Sequence, residues 1–116
     1  MQISFDGIGS QIVTAKRTSN LKKGDLCYFY TDRTVAPATA SSGFSGKVVD
    51  VFSDNTCSVQ IHGYIEVSYA DSTPLSTLDR QNYVCANATS IRRDQNGRSY
   101  LVVHQDTEKH IVGILL

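Results

Sequence analysis

The sequence lacks the net charge that would attract a polyanionic partner. Its 116 residues include 11 Lys and Arg and 11 Asp and Glu, so the formal net charge at pH 7 is zero. A balanced surface produces no global field that concentrates nucleic acid or an anionic membrane near the protein. We therefore expect no non-specific binding to nucleic acid.

Long apolar runs are also lacking. No stretch approaches the roughly 18 apolar residues that a membrane-spanning helix needs. The first ten residues, MQISFDGIGS, contain neither the basic region nor the apolar region of a secretory signal peptide. These absences predict a protein that is cytosolic at synthesis and has no membrane partner.

Cysteine is scarce, and its placement predicts a structural role. The three cysteines, Cys27, Cys57 and Cys85, each lie inside an apolar run, which suits buried reduced thiols. No pair has the C-x-x-C spacing of a zinc or redox site, and a disulfide framework needs more cysteines than this. We predict that all three are buried and reduced.

Catalytic motifs are missing as well. The chain has no glycine-rich phosphate loop, no G-x-S-x-G elbow and no H-E-x-x-H, and its carboxylates are scattered singly through turns. His62 precedes Gly63 where two predicted strands meet, which favours a bend in the sheet. A small hydrolase using His62 is the alternative, but Glu66 is its only neighbour along the chain, and spacing alone assembles no triad. We predict no catalytic residue and no enzyme activity.

Two further clusters suggest ligand sites only weakly. His104 and His110 flank the segment QDTEK and could face each other, but two ligands without a third rarely make a metal site. Arg92, Arg93 and Arg98 could bind phosphate, although a solvated hairpin tip explains them better. Single-stranded nucleic acid needs exposed aromatics beside a basic groove, which leaves such a module open as an alternative. We predict no metal and no cofactor.

Alternating apolar and polar residues dominate the sequence. Short runs rich in β-branched and aromatic residues recur every 8 to 12 residues, separated by Gly, Asn, Asp and Ser, which is typical of a β-sandwich or barrel. We predict an all-β fold, a small single-domain antiparallel β-barrel or sandwich over residues 11–116, preceded by a flexible N-terminal arm, residues 1–10. The predicted strands begin at Gln11, Asp25, Arg33, Gly46, Thr56, Gly63, Asn82, Thr89, Arg98 and His110.

Two segments share an internal order. Residues 25–51 and 82–105 both run through a strand, a short turn, a strand beginning at Thr, a polar loop and a strand that carries Val-Val or Leu-Val-Val. This similarity predicts two related units folded about a common barrel. In the first unit the loop Pro37–Gly46 is small and polar, so it is interpreted as a mobile surface loop. The C-terminal HIVGILL is predicted to be a paired strand, because an exposed tail of that composition would aggregate.

Two longer stretches resemble a known family. FSGKVVDVFSDNTCSVQIHGYIEVSY, from Phe44, and GRSYLVVHQDTEKHIVGILL, from Gly97, resemble small β-barrel head decoration (cement) proteins of tailed bacteriophages and prophages of Gram-positive bacteria. The resemblance implies a non-enzymatic virion protein, present in the host cytoplasm before assembly and then on the capsid surface. Its implied partner is the major capsid protein, with a homotrimer as one arrangement on the shell.

The same resemblance implies a segment that meets the capsid. Ile3, Phe5 and Ile8 stand among Gly and Ser in the N-terminal arm, and terminal segments of this kind are loose unless they pair with a sheet. They are the candidate capsid contacts, together with Phe44. A first edge strand that closes the barrel is the alternative role for the arm.

Overall fold

Ten β-strands make up the regular structure of residues 10–116, the part of the chain that the computed structural model describes. The all-β prediction is confirmed, and no α-helix occurs within this range. Nor does it contain any helix that could span a membrane. The strands are β1 Gln11–Arg17, β2 Leu26–Thr31, β3 Thr34–Pro37, β4 Gly46–Val51, β5 Thr56–His62, β6 Tyr64–Tyr69, β7 Asp79–Asn87, β8 Ser90–Arg93, β9 Arg98–Asp106 and β10 Ile111–Leu115.

The strands form two closed five-stranded barrels. Their orders are β1-β3-β2-β4-β5 and β10-β6-β8-β7-β9. In each barrel the first strand runs parallel to the third, while every other neighbouring pair is antiparallel. The expectation of one common barrel is therefore wrong. Each set of five strands closes on itself, because β5 returns to pair with β1 and β10 returns to pair with β6.

The two barrels repeat each other in detail. In both, the second and third strands pair across a bulge, and so do the fourth and fifth strands. The turn before the last strand carries a residue with positive φ, Asn55 at 66° and His110 at 54°. The carbonyl of each accepts a 2.9 Å hydrogen bond from the last residue of the first strand, Arg17 or Tyr69. The internal order seen in the sequence thus corresponds to a structural repeat.

The first barrel has a small core of its own. Alternating residues of its strands point inward and, together with Leu21 from the β1–β2 connection, are almost completely buried. These side chains are Ala15, Leu21, Cys27, Val35, Val48, Cys57 and Val59. The thiols of two of the three cysteines are therefore core side chains, as predicted.

The core of the second barrel includes residues of the first. Leu26, Ala38 and Phe44 pack among its apolar side chains. Ala38 and Phe44 lie in the loop that was predicted to be a mobile surface loop, and this prediction is wrong because both ends of the loop are anchored in the second core. The remaining members of this core are Ile65, Val67, Tyr69, Tyr83, Cys85, Ile91, Tyr100, Val102, Val112 and Ile114.

One glycine connects the last strand of the first barrel to the first strand of the second. Gly63 separates β5 from β6 and has φ of 96°, a conformation that side chains other than hydrogen disfavour. The predicted bend after His62 is confirmed at this point. At the far end of the chain, β10 pairs with both β6 and β9, which confirms that the C-terminal segment is a barrel strand.

Candidate binding surface

The β2–β3 hairpin presents three consecutive aromatic side chains to solvent. Tyr28, Phe29 and Tyr30 are 36%, 43% and 51% exposed. They remain uncovered because β2 pairs with β4 only through Leu26 and Cys27. Cys27 lies opposite Gly46, the first residue of β4, so the rest of β2 extends past the point where β4 begins. Large exposed aromatics that adjoin one another are typical of interaction surfaces. We call this surface, Tyr28 to Tyr30, the aromatic edge.

Phe29 also has unpaired backbone groups at this edge. Along a strand, backbone polar groups alternate between the two sides. The Leu26 carbonyl accepts a 2.8 Å bond from Ala38 N–H, next to β3, whereas the Cys27 carbonyl accepts a 2.7 Å bond from Ser45 N–H on the opposite side. Phe29 has the parity of Cys27, so its N–H and C=O point away from β3. Phe29 is paired only with Val35 of β3, β4 reaches no further than Leu26 and Cys27, and no described residue outside the ladders bonds to either group.

The corresponding position of the second barrel is covered. Phe29 pairs with Val35 just before the bulge of its hairpin, and Cys85 pairs with Ile91 just before the bulge of the other. Cys85 is completely buried. Its carbonyl accepts a bond from Ser41 N–H and its N–H donates to the Ser42 carbonyl, both at 2.8 Å.

The segment that covers Cys85 comes from the β3–β4 loop of the first barrel. Two residues beyond Ser42, the ring of Phe44 stacks on Tyr100 with centroids 5.2 Å apart and planes 11° apart. The Ser41 hydroxyl accepts a 2.9 Å hydrogen bond from Arg92. This loop, Thr39–Phe44, therefore acts as a strap that joins the barrels through backbone, side-chain and ring contacts.

The predicted contact residues divide into two groups. Ile3, Phe5 and Ile8 fall outside the described residues. Phe44 is only 5% exposed, because its ring fills the space beside Tyr100, so it is not available to a capsid. This corrects the expectation that Phe44 is a surface contact.

His62 lies at the exposed end of β5. Its carbonyl accepts a 3.0 Å bond from the Gln60 side chain. The ring of His110 stacks on Tyr69, with centroids 5.0 Å apart, while His104 sits in β9 opposite Gly113. Among residues 10–116, no three His, Cys, Asp or Glu side chains are grouped so as to hold a metal ion. The histidines thus have local structural surroundings.

The arginines of the β8–β9 hairpin have protein partners. Arg92 forms a 3.1 Å ion pair with Asp94 in addition to its bond to Ser41. Arg93 lies 3.7 Å from Asp71 and donates a 2.6 Å bond to the Thr73 carbonyl. Two of the three charges of this cluster are therefore paired with carboxylates, whereas Arg98 lies over the Tyr100 ring, 5.5 Å from its centroid.

Burial sets the chemistry of the cysteines. All three are free thiols with buried side chains. Burial raises the pKa of Cys27 to about 12 and that of Cys85 to about 11, and it raises the pKa of Cys57 as well. A thiol held in its protonated form is a poor nucleophile, so the three side chains act as small apolar core residues.

A shallow groove of about 470 Å³ also runs between the barrels. Lys47 lies in it and donates a 2.6 Å bond to the Glu66 carbonyl, and burial lowers the pKa of this lysine. The groove is lined by Lys23, Gly24, Lys47, Val48, Val49, Gln60, Tyr64, Ile65 and Glu66. Lys47 therefore links the two barrels across this groove, which is a structural role.

The aromatic edge was missed by the sequence analysis, although a signal was present. CYFY in β2 places bulky apolar residues on both faces of one strand, whereas a strand with one solvated face alternates with polar residues. Comparison with known proteins adds no identification, since no protein-family model and no curated protein matches this chain.

Proposed function

We propose that this protein is a non-enzymatic phage structural protein that binds the outer surface of the assembled capsid and stabilises it. The observation that carries the proposal is the resemblance of its F-x-G-x-V-V, V-Q-x-H-G-Y-x-E-V and G-R-x-Y-L-V-V stretches to head decoration proteins. Its partner is the major capsid protein, and its location is the virion surface after synthesis in the host cytoplasm.

The residues behind the resemblance have architectural roles, which suits a structural protein. Phe44 joins the barrels and Gly63 turns the chain from one to the other. Gly46 allows close strand packing, because a Cβ there would collide with the Gln60 carbonyl and the Val59 side chain. A family defined by such residues shares a framework, and its function then depends on the surface that this framework displays.

The aromatic edge provides such a surface. Tyrosine and phenylalanine are enriched at protein interfaces, because each buries a large area with few rotatable bonds. Here they project from a hairpin whose base is fixed by a closed barrel. A rigid carrier with a local apolar contact is suited to docking on a pre-assembled shell, since little chain entropy is lost on binding.

A single-stranded nucleic-acid or adaptor module is the second candidate, and the exposed tyrosines favour it. Base stacking, however, needs free ring faces beside a basic groove. Tyr28 and Tyr30 pack edge to face, 6.4 Å apart, and the hairpin tip carries Asp32 next to Arg33. The aromatic edge therefore fits a protein partner better than a nucleic acid.

Co-sedimentation with purified mature capsids tests the proposal. We expect the protein to pellet with the shells to a saturable level and to raise the temperature at which they disrupt. Bovine serum albumin at the same concentration is the matched control for trapping. A protein that stays in the supernatant, yet shifts labelled single-stranded DNA in a salt-dependent way, would contradict capsid binding and support the second candidate.

A further inference from the structure

We propose that the backbone edge of β2 at Phe29 is the docking site for an extended segment of the capsid shell protein, which adds to the first barrel as an extra strand. This inference rests on the proposed function and specifies its contact. Strand addition to a free sheet edge is a common mode of protein recognition, in which main-chain hydrogen bonds supply affinity and alternate side chains supply specificity.

The free edge has the polar groups that strand addition requires. The N–H and C=O of Phe29 both point away from β3, on the side where β4 pairs only with Leu26 and Cys27, and no described residue outside the ladders bonds to either group. Tyr28 and Tyr30 flank them on the opposite face of the strand from Phe29. An added strand would therefore gain two main-chain hydrogen bonds and aromatic contacts on both of its faces.

The second barrel shows what such an edge accommodates. At Cys85, the position that matches Phe29, the tight turn Thr39–Ser42 presents its backbone to the strand, with the Ser42 carbonyl as acceptor and the Ser41 N–H as donor. Two residues further along, Phe44 inserts beside Tyr100. The occupant of the Phe29 edge is thus expected to have small residues at the pairing point and a large apolar side chain close by.

The described part of this chain offers no second strap of that kind. The loop Thr39–Phe44 is already engaged with Cys85, and its counterpart in the second barrel is the short β8–β9 turn, Asp94–Gly97. That turn is closed on itself, since the Asp94 carboxylate accepts a 2.9 Å bond from Asn96 N–H and Gly97 N–H donates to the Asp94 carbonyl at 2.9 Å. A second copy therefore cannot repeat the contact with its equivalent loop, which favours a different protein as donor.

The backbone bond can be removed separately from the side chain. In F29P the proline lacks an N–H, but that N–H points away from β3, so the ladder to β3 is preserved and proline is tolerated at such an edge. F29A removes the ring and keeps the N–H, and is the matched control. Y28P tests the assigned parity, because its lost N–H would point toward β3 and its hairpin should be destabilised.

Capsid co-sedimentation of these variants tests the inference. We expect F29A to bind a few-fold more weakly than the parent, and F29P to bind about tenfold more weakly than F29A, the loss that one intermolecular hydrogen bond produces. Circular dichroism should show equal melting of F29A and F29P. If the parent binds while F29P binds as well as F29A, the strand addition is wrong and the capsid function stands. A parent that does not bind contradicts the function itself and, with it, this partner.

Amide hydrogen exchange at Phe29 provides a second readout, which does not depend on folding of the proline variant. We expect fast exchange in the free protein and protection on the capsid. Unchanged exchange on the capsid would overturn the inference. Protection in the free protein would also overturn it, and would identify another occupant: a second copy if protection grows with concentration, or residues 1–9 if it disappears in a chain that begins at Ser10.

Discussion

The two barrels share a topology and differ at one edge. In the second barrel, Cys85 is buried beneath the strap from the first, whereas in the first barrel the matching Phe29 is 43% exposed. The buried position holds a small thiol and the open one a large ring. A repeated fold can therefore use one copy of an edge for internal cohesion and leave the other for a partner.

The second barrel should not survive the loss of its last strand. Deleting Ile111–Leu116 removes β10, which pairs with β6 and β9 and buries Val112 and Ile114. The deletion leaves β6 and β9 without a neighbour on one side and exposes the core of the second barrel, into which the strap packs. We expect insoluble protein or a circular dichroism melt without a cooperative transition.

Deletion of Met1–Ser10 is the matched truncation. It leaves all ten described strands, β1 to β10, intact, so we expect it to melt like the parent and, if Ile3, Phe5 and Ile8 contact the shell, to pellet less efficiently with capsids. A C-terminal deletion that melts like the parent would show that β10 does not close the barrel. Full capsid binding by the N-terminal deletion would exclude an anchoring arm.

The same substitution at two phenylalanines should separate the two edges. Phe44→Ala empties a buried site beside Tyr100, and such changes cost about 3–5 kcal/mol of unfolding free energy. Phe29→Ala removes a half-exposed ring, and we expect a loss below about 1 kcal/mol because little buried area disappears. Urea unfolding measures both values. Equal losses would contradict the assignment of one ring to cohesion and the other to binding.

The sequence predicted local features better than closure. Period-2 alternation correctly indicated the all-β class, and the apolar surroundings of the cysteines correctly indicated burial, because both depend on neighbours along the chain. Closure into two barrels depends on pairing of β1 with β5, more than 40 residues apart along the chain at positions such as Val13 and Val59. No local pattern encodes that choice.

The candidate site was harder to predict because single apolar residues are ambiguous. Phe44 stands alone among small polar residues, so an exposed anchor and a buried strap residue look alike in sequence, and the structure shows burial. Phe29 lies in an apolar strand, the usual setting of a core residue, yet it is exposed because β4 pairs only with Leu26 and Cys27 and does not reach it. Exposure in both cases is decided by the partner strand rather than by the residue.

Alkaline pH should destabilise both barrels, because each contains a buried cysteine whose proton is lost more readily in the unfolded state. Burial raises the pKa of Cys27 from 9.0 to about 12, that of Cys85 from 9.0 to about 11 and that of Tyr83 from 10.0 to about 12. Above pH 9 the unfolded thiols lose their protons while the folded ones keep them, so the unfolded state is favoured. Below this range the thiols are protonated in both states and leave stability unchanged, whereas above it each thiol removes up to about 1.4 kcal/mol per pH unit until its folded pKa is reached.

The melting temperature, measured as a function of pH, reports this loss of stability, and a variant that lacks one buried thiol shows how much that thiol contributes. Cys85→Ala should reduce the slope between pH 9 and 11, while the exposed-site variant Ser53→Ala should leave it unchanged. The cysteines should react with a thiol reagent only after denaturation. Rapid labelling of the native protein, or a melting temperature that is flat up to pH 11, would contradict burial of the thiols.

Two glycines of the first barrel should respond differently to one methyl group. A Cβ on Gly46 would collide with the Gln60 carbonyl, whereas a Cβ on Gly43 would have no atom within 4 Å. Overpacking of this kind costs about 1–3 kcal/mol, and an exposed position without contacts changes stability by less than about 0.5 kcal/mol. We expect Gly46→Ala to lower the urea midpoint and Gly43→Ala to leave it unchanged. A reversed order would show that the strap, rather than the ladder from β4 to β5, is the tightly packed element.

The smallest effect is expected at His62, which tests whether the passage between the barrels has chemistry of its own. The bond from Gln60 reaches the backbone carbonyl of His62, and the imidazole is exposed, so His62→Gln should change the unfolding free energy by less than about 0.5 kcal/mol. Gly63→Ala is the matched control, because φ of 96° strains any residue with a Cβ and should cost about 1 kcal/mol or more. Both variants are compared with the parent by urea unfolding, capsid co-sedimentation and hydrolysis of ester and phosphate-ester substrates. A His62→Gln variant that stays folded but loses a hydrolytic activity present in the parent would disprove the non-enzymatic assignment.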